Sequence, residues 1–143
     1  MSFQELVQVF PALDQTRFQE TSPRTPRYNC IAYAAGDHQR WWWPDPDGIN
    51  YWPDGVPRIE RLAVFQAAFE TIGYSITADG ALEGGYEKVA FFAVGTTPTH
   101  AARQLPSGLW SSKLGQLEDI SHHLEGVEST KYGSVAFYMR RAT

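Results

Sequence analysis

The hydrophobic period of this chain changes once, at Tyr86, and that change limits the fold more than any other feature. Before it, Ile59, Leu62, Phe65, Phe69 and Ile72 recur at helical steps of three and four. Asp54 and Pro57 supply start signals and Gly73 a stop. After it, the run YEKVAFFAV at 86–94 has strand length, THAARQL and LWSSKL flank a Pro106-Ser107-Gly108 turn, and SVAFYMRR supplies a last strand. Helices first and antiparallel strands afterwards is the α+β pattern. The expected architecture is therefore a set of N-terminal helices packed on a C-terminal antiparallel sheet.

Shorter signals complete the pattern. Ser2 and Glu5 stand at capping-box spacing, and Phe3, Leu6, Val7 and Phe10 share one face of a short helix that Pro11 ends. Residues 14–27, polar and holding Pro23 and Pro26, read as a loop. Asn29 is placed to cap a helix over 30–35, and Gly36 to stop it. Tyr74 opens a short strand ending at Thr77, and Asp79-Gly80 makes a turn. Leu114, Leu117, Ile120 and Leu124 are spaced for a helical turn. With 143 residues and no internal boundary, the chain is expected to form one domain over 1–143.

Charge and cysteine count narrow the function classes. A net charge of −4, with no cluster of Lys and Arg beyond Arg140-Arg141, argues against a phosphate-tracking surface and so against nucleic acid. Absence of an export signal or a long apolar run predicts a cytoplasmic protein with no membrane partner. One cysteine forbids an internal disulfide and suits a reducing compartment. No histidine or cysteine falls at metal-ligand spacing, and no phosphate loop follows the glycines at 80, 84 and 85. No metal or cofactor is expected.

The candidate chemistry is a thiol and an imidazole. Behind an Asn29 cap, Cys30 would be the first helical residue, where unpaired amides and the helix dipole lower a thiol pKa. The plainer reading is core filling. His100 stands at the mouth of a predicted strand, where a base can face a thiol across a cleft. A third group should orient the ring. If Leu105 pairs with Leu109 across a three-residue turn, Ser112 shares the face of His100; a two-residue turn offers Ser111 or Lys113, and Asp119 and His122 are reserves. Cys30, His100 and Ser112 are the expected catalytic set. Asn29, Trp43, Arg103, Trp110 and Lys113 are the expected substrate contacts. Residues 41–57 carry four prolines and five aromatics. That segment is either a stacking platform or a satellite core beneath a long loop.

Two resemblances accompany these motifs. YNCIAYAAG, THAARQLPSGLWSSKLG, ISHHL and YGSVAFYMRR, over roughly 28–141, resemble a bacterial family of unknown function. More distantly, a helix-borne Cys followed by a strand-borne His and a polar residue on the next strand resembles papain-like thiol hydrolases of the cell-wall amidase type. That second likeness implies a papain-like arrangement and a hydrolase or acyl transferase acting on an amide or ester. Its substrate would be a peptide or a small amide or ester. The alternative is a non-catalytic binding module with an aromatic groove, for which a protein partner is the other expectation.

Overall fold

The computed structural model describes positions 8 and 10 and residues 18–22, 25–114, 119–129 and 132–143. Among these residues seven strands make one sheet: β1 (Phe18–Ser22), β2 (Ser75–Thr77), β3 (Tyr86–Val94), β4 (Thr97–Gln104), β5 (Trp110–Lys113), β6 (Asp119–His122) and β7 (Ser134–Ala142). Their order is β1-β6-β5-β4-β3-β7-β2, and every pairing is antiparallel. Two short helices, α1 (Cys30–Ala35) and α2 (Leu62–Glu70), lie between β1 and β2 in the chain.

This corrects the expected architecture. The molecule is mostly antiparallel sheet, not a set of N-terminal helices set against a C-terminal sheet in a papain-like arrangement. A strand precedes both helices: β1 arises inside the segment read as a loop and closes one edge of the sheet against β6. The helical turn expected from Leu114 to Leu124 is instead β6 followed by a 3-10 turn over Leu124–Val127. All four residues of β6 are buried, so pairing on both sides overrides the three-and-four spacing of the leucines. All of the expected helix at 2–10 except positions 8 and 10, and Leu117, lie outside the described residues.

The central strand explains itself. β3 pairs with β4 on one side and β7 on the other and is buried continuously from Lys88 to Ala93, which is why its sequence is an unbroken apolar run. Alternation sends Val89 and Phe91 to one face and Ala90 and Phe92 to the other. The first face carries Ala101 and Met139 as well, and α1, α2, Trp42 and Trp52 cover it. Phe69 and Phe65 meet Phe91 edge-on at 4.7 and 6.4 Å. The second face carries Ala102, Trp110 and Ile120, covered by Phe10, Val127 and Tyr132. The sheet is thus the middle layer between two apolar clusters.

Asn29 caps α1 as its sequence implies: its Oδ1 accepts from the Ala32 amide at 3.1 Å. Gly36 ends the helix at φ 89, a left-handed turn that glycine adopts without steric cost. Helix α2 starts later than its apolar period suggested, because Pro57 and the exposed Ile59 remain in the loop.

Candidate functional site

Cys30 is the first residue of α1 and is 7% exposed. Backbone N–H groups of Ala101, Ile31 and Cys30 itself lie about the sulfur, and the Lys113 ammonium acts on it from nearby. These favour thiolate, but burial acts harder and pushes the thiol up to about 11. At neutral pH Cys30 carries its proton.

His100 stands on β4. Ala101 belongs to the helix-covered face, so alternation places the neighbouring His100 on the opposite face. There its ring stacks on Tyr132 at 4.0 Å and meets Phe92 edge-on at 5.4 Å. The ring is fully buried. Cys30 packs with the helix-covered cluster, and His100 packs among residues of the second cluster. The structure does bring Ser112 to His100. Leu105 N–H donates to the Leu109 carbonyl at 2.7 Å, and Arg103 faces Ser111, which is the register of the three-residue turn.

Ser112 Oγ lies 2.9 Å from His100 Nε2 and 2.7 Å from His122 Nε2. The His123 carbonyl can only accept, so His122 Nδ1, 2.5 Å away, carries a hydrogen. In a neutral imidazole that leaves His122 Nε2 as an acceptor. Ser112 then donates to His122 and accepts from His100 Nε2–H. One hydroxyl ties three adjacent strands, β4, β5 and β6, from inside the second cluster.

The expected substrate contacts separate in the same way. Asn29 is buried, and after capping α1 it holds the tryptophan segment: Nδ2 donates to the Trp42 carbonyl at 2.8 Å and Oδ1 accepts from the Trp42 amide at 3.1 Å. Trp43 packs on Phe65 at 5.4 Å. Trp110 is buried beside Tyr138 on the second face. Lys113 is buried, 5.5 Å from the centre of the Tyr28 ring and opposite Asp119 in register; burial lowers its pKa while Asp119 raises it. Asp119 itself accepts from Tyr28 Oη at 2.6 Å. The segment 41–57 is a satellite core rather than a platform. Trp42 and Trp52 are buried, and the indole N–H groups of Trp41, Trp42 and Trp52 donate to Pro26, Asp37 and Pro57.

Arg103, one of the five, opens onto a cavity. This space of about 580 Å³ lies where three pieces meet: Tyr33 and His38 around the end of α1, residues 82–87 leading into β3, and Arg103 to Pro106 at the end of β4. Its size is that of a site for a small organic ligand. Tyr33 and His38 stack at 5.3 Å, and the Tyr33 hydroxyl is hydrogen-bonded to Ser111 Oγ. Leu82, Leu105 and Pro106 add apolar wall. Glu87 sits between Arg141 and Arg103. Among the described residues no group of three or more His, Cys, Asp or Glu could hold a metal ion. Tyr33, His38 and Glu87 were not singled out by sequence reasoning. The local signal was the Gly84-Gly85 pair beside an exposed Leu82, which marks a hollow rather than a strand end.

Fold and cavity together define a class: an antiparallel sheet braced on one face by two short helices, with an open hollow at the helix-bearing end of β4. The profile of a domain of unknown function (DUF7689) matches residues 19–140, and the chain belongs to that family. The papain-like likeness is not supported. No curated protein matches the chain. No solved structure matches it. None of the described helices is long and apolar enough to cross a membrane.

Proposed function

We propose that this protein is a ligand-binding domain whose site is the cavity beside Arg103, and that Cys30 belongs to its core. One contrast carries the reading. The only thiol is buried and protonated, the imidazole meant to activate it is fully buried, and the open hollow is lined by neither. A nucleophile and base must reach hydrogen-bonding distance of each other and of a substrate. Burial of both groups opposes the second requirement.

The test uses a neutral apolar fluorophore, N-phenyl-1-naphthylamine. It is expected to bind one to one, and Gly84→Trp is expected to block it. Gly84 lines the cavity with open space around an added Cβ, so an indole there fills the hollow without disturbing the core. Cys30→Ala should leave binding intact. Binding that survives Gly84→Trp, or disappears with Cys30→Ala in a folded protein, would place the site elsewhere.

A further inference from the structure

From the charges around this cavity we infer that its ligand is a small organic anion, with one carboxylate-like group held by Arg103 and a flat apolar body against Tyr33 and His38. The inference rests on the cavity being the binding site.

The charge pairing singles out Arg103. Glu83 accepts from Arg140 at 2.5 Å and has Lys88 at 3.5 Å. Glu87 accepts from Arg141 Nε at 2.6 Å and makes a second contact to the same guanidinium. Both side-chain carboxylates on the cavity wall are thus already matched by cations. Arg103 is matched only loosely in return: its contact to Glu87, which Arg141 already holds, is 3.9 Å long. A guanidinium has five N–H donors in a planar fork that fits a carboxylate with two parallel bonds. Here that fork faces a hollow, one third exposed.

The remaining wall selects the rest of the ligand. Tyr33 and His38 lie nearly parallel, with 20° between their planes, and present a flat aromatic surface. Leu82, 56% exposed, stands at the rim without covering apolar neighbours. A cationic ligand would meet Arg103 with no unmatched carboxylate to balance it. An uncharged one would leave the guanidinium donors unused where water is displaced, which costs binding energy.

The experiment compares 8-anilinonaphthalene-1-sulfonate with N-phenyl-1-naphthylamine, which share an aromatic skeleton and differ by one anionic group. The expected result is at least about tenfold tighter binding of the sulfonate, as a charge-assisted pair supplies. Arg103→Gln should abolish that preference and leave the neutral probe unchanged, with folding checked by circular dichroism. Should Arg103→Gln not fold, Arg103→Lys and the salt dependence of the sulfonate's affinity take its place. Either should shrink the preference while the neutral probe holds. Equal affinities, or a preference indifferent to Arg103, would overturn the anion inference and leave the cavity as the site. Failure of both probes to bind would overturn the two together.

Discussion

At the scale of single residues, the polar groups inside this protein tie strands together. Ser112 shows this best, because its one hydroxyl serves two buried imidazoles. Ser112→Ala removes both hydrogen bonds and leaves buried nitrogen atoms without that partner, so it should cost about 1–3 kcal/mol in a urea melt. A change below about 0.5 kcal/mol, the size expected of an ordinary surface substitution, would show that the cluster does not brace the sheet. Asn29 behaves similarly, with its amide capping α1 and fastening Trp42 at once. Residue types were legible in the sequence at this scale, and so was the neighbourhood of His100 and Ser112, since both follow from turn length and alternation. The side of the sheet that α1 would cover was not legible. Alternation says that His100 and Ala101 point apart, but nothing local says which of them meets the helix.

At the scale of elements, short strands with buried polar residues were the ones missed. β6 reads Asp-Ile-Ser-His, and only its pairing with β5 and β1 reveals why such residues lie inside. β1 is a five-residue polar edge strand whose identity depends on a partner about a hundred positions away in the chain. The long strand β3 and the β4–β5 hairpin, by contrast, announce themselves through an apolar run and a Pro-Ser-Gly turn. Glycine positions give the fold its sharpest test. An added Cβ at Gly133, which leads into β7 at φ 74, would lie 1.9 Å from the Ala93 carbonyl oxygen. Gly95, in the two-residue turn between β3 and β4, has φ 61 but open space around it. Gly133→Ala is therefore expected to cost above about 3 kcal/mol, from backbone strain plus a steric clash, against roughly 1 kcal/mol for Gly95→Ala from strain alone. Equal losses in thermal or urea unfolding would mean that β7 does not approach β3 as closely as described.

At the scale of the whole molecule, the sheet acts as a partition. The first cluster holds the helices, Trp42, Trp52 and Cys30; His100, Ser112, His122 and Tyr132 meet among the residues of the second. Cys30 and His100 are both buried, and an open hollow forms around Arg103 at the end of β4. The long strands were legible from periodicity, whereas the predominance of sheet was not, because it depends on β1 and β6 completing the sheet beyond β5. The most direct measurement follows Cys30, the only thiol, by mass spectrometry during exposure to iodoacetamide at neutral pH, native against urea-unfolded. Access to a buried thiol requires opening of the structure, so native labelling should be at least about a hundredfold slower than labelling of the unfolded chain. Native labelling as fast as that of the unfolded chain, or faster, would reveal an exposed and activated sulfur and contradict the burial described.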